Sequence, residues 1–164
     1  WSFHQRFQDY IMGVVSGTLT PLGFLSAALA SNQPRSALIV ALLSAGFCDG
    51  ISDSVASSQA TQSVSRATAK EQIAAFATTM TGKIIIPMTF VPITIISNSN
   101  STILTLSSLW AATLLTATAA VQSIANERSV VKAVSSILAW GAAATMTGTA
   151  LGYYVPRLFE ALFK

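Results

Sequence analysis

Long apolar runs, separated by short polar segments, make up most of this chain. A membrane-spanning helix needs about 20 mainly apolar residues, and five of the runs reach that length. They cover about residues 10–30, 36–66, 73–96, 103–124 and 130–155. The connections between them are too short to separate two domains. The pattern therefore predicts an all-α membrane protein, a bundle of five transmembrane helices in a single membrane domain over residues 1–164.

Composition favours the same interpretation. Charged residues make up 9% of the chain, against about 25% in an ordinary soluble domain. Apolar residues reach 52%, and the mean hydropathy is +0.59. So few charged side chains could not cover the surface of a soluble domain of 164 residues, which disfavours a very apolar soluble protein.

Several kinds of site are excluded by the residue types that the chain lacks. Cys48 is the single cysteine, so neither an intrachain disulfide framework nor a cysteine zinc cluster can form. His4 is the single histidine, which excludes a multi-histidine metal site within one chain. The sequence contains no nucleophile–base pair and no phosphate-binding loop. We therefore expect no enzyme activity and no cofactor, and the net charge of +3 rests on too few groups to indicate nucleic-acid binding.

Paired glycines indicate close helix contacts. Gly13 and Gly17 lie four residues apart in the first span, and Gly148 and Gly152 repeat this spacing in the fifth. Small residues at this spacing let the backbones of membrane helices approach each other. We therefore predict that all four glycines contribute to helix packing.

Prolines indicate irregularities in two of the spans. Pro21 removes a backbone donor, so we expect the first helix to be bent or partly unwound around Gly17–Pro21. Pro87 and Pro92 lie five residues apart in the third span. We expect them to kink or break that helix.

Two aspartates, Asp49 and Asp53, lie inside the second predicted span. A carboxylate is costly in hydrocarbon, so an intramembrane acid indicates a functional site by default. Because the two are four residues apart, both project from one face of the helix. That face is a stripe of small and polar residues at positions 48/49, 52/53, 56 and 59/60, and we expect it to face the bundle interior.

Three roles are open for the two aspartates. They could bind a divalent cation through their oxygens, carry a proton across the membrane, or pair with Lys83 of the third span in a purely structural contact. These roles can combine, because a lysine that neutralises one aspartate leaves the other to titrate. Ser16 and Thr20 of the first span are second-rank candidates for hydroxyl ligands.

Lysine and arginine near the span ends predict the orientation, because cytoplasmic connections carry more of them. The N-terminal side holds Arg6, Arg66, Lys70, Arg128 and Lys132. The opposite side holds Arg35, Arg157 and Lys164. We therefore expect the N-terminus on the cytoplasmic side and the C-terminus outside or luminal. The leading segment Trp1–Asp9 mixes aromatic and charged residues, which is typical either of an amphipathic stretch at the lipid headgroups or of a frayed terminus.

Three of the spans resemble those of the vacuolar iron transporter family. The run Tyr10–Pro21, YIMGVVSGTLTP, resembles the opening helix of that family, and Ser44–Ser54, SAGFCDGISDS, resembles its small, glycine-rich, polar second helix. The two prolines of the third span match its proline-interrupted helix. The family's first-helix aspartate falls on Ser16 here, and Asp49 and Asp53 occupy the neighbourhood of its second-helix methionine and glutamate. The glutamate-rich cytoplasmic helices of larger members are missing.

The resemblance implies export of ferrous iron or manganese from the cytoplasm, coupled to protons, by a homodimer with the path at the dimer interface. Asp49 and Asp53 would be metal ligands or proton carriers, with Ser16 and Thr20 beside them and Lys83 as a charge partner or gate. The alternative belongs to another class. The chain would then be a non-transporting structural subunit of a larger membrane protein complex, with its small-residue faces in contact with partners.

Overall fold

The computed structural model describes residues 3–64 and 68–163, and the side chains of 7–63 and 68–163. Over these residues the chain is helical throughout and contains no strand. Its α-helices are α1 Phe3–Ala30, α2 Arg35–Ser44, α3 Gly50–Val64, α4 Ala69–Ile96, α5 Asn100–Ala125 and α6 Val130–Leu162. A π-helical turn, Ala45–Asp49, joins α2 directly to α3.

Five helical segments of the described chain are long and apolar enough to cross a membrane. They are Phe7–Ala30, Arg35–Ser63, Ala69–Ile96, Asn100–Ala125 and Val130–Leu162. The second segment consists of α2, the π-helical turn and α3. The prediction of an all-α chain with five candidate spans is therefore confirmed, and these spans identify an integral membrane protein.

Local sequence explains several helix ends. Asn32 follows α1 with a φ of 53°, a conformation that asparagine tolerates better than most residues. Thr68 and Glu71 form a capping box at the start of α4. The Ser99 hydroxyl accepts a hydrogen bond of 3.1 Å from the backbone N–H of Thr102 and caps α5. The leading segment Trp1–Asp9 is helical from Phe3 onwards and forms the beginning of α1. Residues 1–2 lie outside the described range.

The first helix is the centre of the bundle. It packs against α4, α5, α6 and the second span. The apolar core that results comprises Leu22, Leu25, Leu29, Leu38, Leu42, Phe90 and Ile103. Polar side chains on the inner face of α1 therefore lie between helices and out of contact with lipid.

Glycine allows α1 to approach α4 closely. A Cβ atom on Gly13 would lie 2.9 Å from the carbonyl oxygen of Thr79. One on Gly17 would lie 3.3 Å from the carbonyl oxygen of Gly82. The first distance is shorter than real Cβ contacts, so a side chain at this position would push the two helices apart.

Glycine also joins α6 to α1. A Cβ atom on Gly148 would lie 2.2 Å from the carbonyl oxygen of Gly23, and one on Gly152 would lie 2.0 Å from the carbonyl oxygen of Ala27. The four glycines that the spacing singled out thus all lie where helix backbones meet. Two of them hold α1 against α4, and two hold α6 against α1.

The prolines do not unwind their helices. The first helix is continuous through Gly17–Pro21, and α4 is continuous through Pro87 and Pro92. Of the alternatives expected, partial unwinding of the first span and a break of the third are therefore wrong, while a bend in α1 and a kink in α4 stay predictions. A single missing N–H leaves the remaining hydrogen-bond ladder intact, and Pro21 and Pro87 are fully buried among neighbouring helices that hold the backbone in place.

The second span departs from the uniform helix predicted for it. Its π-helical turn contains one more residue than an α-helical turn. The buried positions beyond the turn are consequently shifted by one residue, to Gly50, Ser54 and Ser57 in place of 49, 53 and 56. The predicted end near 66 lies outside the described residues, which stop at 64 in this helix.

The expected inward stripe of the second span is therefore wrong in part. Its outer members are exposed in the single chain, namely Cys48, Ser52, Ala56, Gln59 and Ala60. Asp49 and Asp53 are half-buried at the edge of the inward face. Periodicity alone could not show this, because the π-helical turn rotates everything that follows it.

Candidate functional site

Lys83 lies near the middle of α4 and is the largest fully buried side chain of the described chain. Only 1% of it is exposed. A lysine at this depth of a membrane helix needs partners for its charge, because an isolated ammonium is costly in hydrocarbon. The residues around it supply both the space and the partners.

Glycines make the space. A Cβ atom on Gly17 of α1 would lie 3.4 Å from the Cα atom of Lys83, and one on Gly50 would lie 3.2 Å from the Lys83 Cβ atom. A Cβ atom on Gly46, in the π-helical turn, would lie 3.2 Å from the Lys83 carbonyl oxygen. The first and second spans can therefore close directly on the lysine backbone.

Acidic and hydroxyl groups are the partners. The Lys83 ammonium donates to Asp49 Oδ2 and to Ser16 Oγ. It also lies 2.7 Å from Asp53 Oδ2. The Ser16 hydroxyl in turn donates to Asp53 Oδ2 at 3.2 Å. A lysine has three N–H donors, and three acceptors surround this one. We call Ser16, Asp49, Asp53 and Lys83 the acid–lysine cluster.

The spacing of the two aspartates makes this convergence possible. Asp49 is the last residue of the π-helical turn, and Asp53 lies in the first turn of α3. Being four residues apart, they present their carboxylates on one side of the helix, where both reach one ammonium. π-Helical turns inside α-helices are frequent at functional sites.

The cluster has unequal charges and unequal exposure. Two carboxylates face one ammonium, which gives a formal charge of −1 when all three groups are ionised. The side chains of Asp49 and Asp53 are 32% and 28% exposed, while Lys83 is 1% exposed. The lysine is therefore sealed between helices, and the cluster opens on its acidic side.

A cavity of about 450 Å³ adjoins the open side. Its walls are formed by α1 and the second span, through Thr20, Phe24, Ala41, Ser44, Ala45, Cys48 and Asp49. Thr20 thus belongs to the cavity wall and not to the groups that bond Lys83. The lining is mostly apolar, and its polar groups are the hydroxyls of Thr20 and Ser44, the Cys48 thiol and the Asp49 carboxylate.

The described residues contain no group of three or more histidine, cysteine, aspartate or glutamate side chains that could hold a metal ion. The available donors are the carboxylates of Asp49 and Asp53 and the hydroxyls of Ser16 and Thr20. Carboxylate and hydroxyl oxygens are the ligands of hard and borderline divalent ions. Cys48 is exposed and is placed on the cavity wall, where it could add a sulfur ligand.

Sequence reasoning missed another acidic contact. Asp9 of α1 accepts a hydrogen bond of 3.3 Å from the Ser57 hydroxyl of α3. Asp9 lies seven residues before Ser16, which places both on one face of α1. That two-turn spacing is the signal that could have linked Asp9 to the cluster.

Comparisons with known proteins give no match. No protein-family model, no curated protein and no solved structure is significantly similar to this chain. The resemblance to the vacuolar iron transporter family rests on the first-span run Tyr10–Pro21, the small, glycine-rich, polar second span and the two prolines of the third, and it stays a prediction.

Proposed function

We propose that this protein transports divalent metal ions, iron or manganese, across the membrane and couples their movement to protons. The observation that carries the proposal is the acid–lysine cluster. Two carboxylates share one buried ammonium in the middle of the bundle, and one of them, Asp49, also lines a cavity of about 450 Å³. A contact that served only to neutralise the charge of the Lys83 ammonium would require one carboxylate.

Charge arithmetic indicates how metal and protons would be exchanged. With both carboxylates and the ammonium ionised, the cluster carries −1, and one added proton makes it neutral. A divalent ion bound between two carboxylates is neutral only if Lys83 gives up its proton. Moving between the two neutral states exchanges one divalent ion for two protons. The low-dielectric interior of a membrane protein favours such electroneutral exchange.

Each residue of the site has a separate role in this proposal. Asp49 and Asp53 are the metal ligands, and Ser16 and Thr20 offer hydroxyl oxygens from α1. Lys83 is the gate, because its ammonium occupies the carboxylates until a cation displaces it. Transport further requires two states that expose the site to each side in turn. The glycine contacts around Lys83 permit small sliding movements of the packed helices.

The proposed assembly is a homodimer. The exposed face of the second span carries Cys48, Ser52 and Gln59 in a segment that would otherwise meet lipid. Polar groups in the bilayer need protein or water as partners, and a second copy would supply them. In the proposed orientation the N-terminus is cytoplasmic, the C-terminus is outside or luminal, and the metal leaves the cytoplasm.

Flux measurements in liposomes test the function. Purified protein is reconstituted, and manganese or ferrous iron entry is followed with an enclosed metal-sensitive dye. The variant Asp49→Asn with Asp53→Asn should abolish the flux, because both ligands lose their charge. Glu160→Gln removes one acid near the end of α6 and serves as the matched control, with flux retained. Equal flux from the wild type and the double variant would contradict the proposal.

A structural subunit is the second candidate, and one observation favours it. The Lys83 ammonium donates to Asp49 and Ser16 and pairs with Asp53 within the chain, so the cluster is also sufficient to hold three helices together. Under this reading the polar face of the second span contacts other membrane proteins. Absence of metal flux from the wild type, together with co-purification of other membrane chains, would support the subunit.

A further inference from the structure

Polar groups continue from the acid–lysine cluster toward the beginning of α1. Asp9 is half-buried within the first candidate span, and its carboxylate accepts a hydrogen bond of 3.3 Å from the Ser57 hydroxyl. Ser57 is itself buried, with 7% of it exposed. This second acidic contact therefore lies between α1 and α3, as the contact between Ser16 and Asp53 does.

Two buried hydroxyls near this line have no partner among the described residues. They belong to Ser54 of α3 and Thr79 of α4, with 0% and 1% exposed. Other buried hydroxyls in the bundle donate to the carbonyl oxygen one turn earlier, as Thr18, Ser26 and Thr94 do. This intrahelical bond is open to any serine or threonine in a helix, yet Ser54 and Thr79 do not make it.

Helix register puts both hydroxyls between the two acidic contacts. Ser54 lies one turn after Gly50, which packs on Lys83, and one turn before Ser57, which bonds Asp9. It therefore faces the junction of α1 and α4.

Thr79 reaches the same junction from the other side. It lies one turn before Lys83 on α4, and its carbonyl oxygen would be 2.9 Å from a Cβ atom on Gly13. Gly13 is one turn after Asp9 and nearly one turn before Ser16. The unpartnered hydroxyls thus occupy the stretch of about 10 Å along α1 that separates Asp9 from Ser16.

We infer that Asp9, Ser57, Ser54 and Thr79 form a hydrated seam that conducts protons between the acid–lysine cluster and the end of the bundle where α1 begins. Buried hydroxyls without protein partners are the usual anchors of internal water. Asp9 takes a proton from water and releases it to the water bonded by Ser54 and Thr79, which carries a proton toward the acid–lysine cluster. Each transfer breaks one O–H bond and forms another. The use of these protons rests on the proposed transport function, but the hydration of the seam does not.

Thiol accessibility tests the hydration. In the background Cys48→Ala, the variants Ser54→Cys and Thr79→Cys are treated in membranes with a small charged methanethiosulfonate reagent, which reacts in water. Ser26→Cys is the matched control, because Ser26 is equally buried and its hydroxyl bonds the Leu22 carbonyl oxygen. Both seam variants should react at least about tenfold faster than the control. If both seam variants react at the same rate as Ser26→Cys, the seam is dry and the inference is wrong. Each variant must also elute as folded protein in size-exclusion chromatography.

Proton and manganese fluxes test the role of Asp9. In liposomes, Asp9→Asn should lower manganese-driven proton flux by about tenfold or more, since it removes a proton-transfer group. Manganese binding should be unchanged, because Asp9 is not a ligand, and Asp9→Glu should retain the flux. Wild-type proton flux in Asp9→Asn would overturn the inference for Asp9. Absence of manganese flux from the wild-type protein would instead contradict the proposed transport function. The reaction rates of the thiols would still show whether the seam contains water.

Discussion

Within the buried middle of α4, the Lys83 ammonium meets two carboxylates and one hydroxyl from two other segments of the chain. The two acids that the ammonium joins would repel each other without it. The lysine therefore links the second span to α4, and in the proposed function it would also be the gate of the site.

Replacing Lys83 tests how far the stability of the fold depends on its charge. Lys83→Met keeps most of the side-chain volume and removes the charge, which leaves two unpaired carboxylates between helices. We expect the free energy of unfolding to fall by about 3 kcal/mol, since breaking a buried ion pair from one side leaves charge uncompensated. Thermal unfolding of the detergent-solubilised protein measures the change.

A compensated variant is the control for this prediction. Combining Lys83→Met with Asp49→Asn and Asp53→Asn removes all three charges together, so most of the lost stability should return. A single variant Lys83→Met as stable as the wild type would show that the ion pairs contribute nothing to the fold.

At the scale of elements, glycine spacing predicted the helix contacts well and proline predicted the helix breaks poorly. The four glycines permit close helix contacts because they have no side chain, and this property is known from the residue type alone. The three prolines in α1 and α4 each remove one hydrogen bond, and whether a helix then opens depends on the neighbours that hold it. Those neighbours are set by the bundle and not by the residues on either side of the proline.

The contact between α6 and α1 can be probed at one position. A Cβ atom on Gly152 would lie 2.0 Å from the carbonyl oxygen of Ala27. Gly152→Ala should therefore force the helices apart and lower the free energy of unfolding by about 1–3 kcal/mol, as overpacking does. The midpoint of thermal unfolding measures the loss.

Gly23→Ala is the matched control on α1. Its added Cβ atom would lie 3.7 Å from the Ala144 carbonyl oxygen, an ordinary contact distance. We expect no loss of stability there, because alanine is the better helix former by about 1 kcal/mol. Equal effects of the two substitutions would mean that the crossing is less tight than described.

At the scale of the whole molecule, the polar face of the second span is the surface that a single chain leaves uncovered. Apolar side chains on the exposed surface of α5 and α6, such as Leu109, Val131 and Met146, are suited to lipid. The exposed part of the second span mixes apolar side chains such as Phe47 and Ile51 with polar ones such as Ser52 and Gln59, and the polar ones are suited to protein. The proposed homodimer would bury it and would place two acid–lysine clusters near one interface.

Disulfide cross-linking tests that assembly. Native Cys48, and Ala56→Cys or Ala60→Cys in the background Cys48→Ala, lie along the exposed face of the second span. Mild oxidation in membranes should convert at least one of them to a covalent dimer, since a symmetric interface brings like positions together. Ala139→Cys on the exposed face of α6 is the control and should stay monomeric. If only the Ala139→Cys control formed a covalent dimer, the interface would lie at α6 and not at the second span.

The amino-acid sequence by itself determined the class of this protein: five apolar spans, the two intramembrane aspartates, and the glycines where helices meet. These follow from hydrophobic length and side-chain size, which are properties of consecutive residues. Only the tertiary structure decided that both aspartates reach Lys83, that a π-helical turn shifts the buried face of the second span by one residue, and that Asp9 contacts Ser57 of α3. Such pairings depend on how three helices are rotated about their axes, and that rotation is set by packing across residues far apart in the chain.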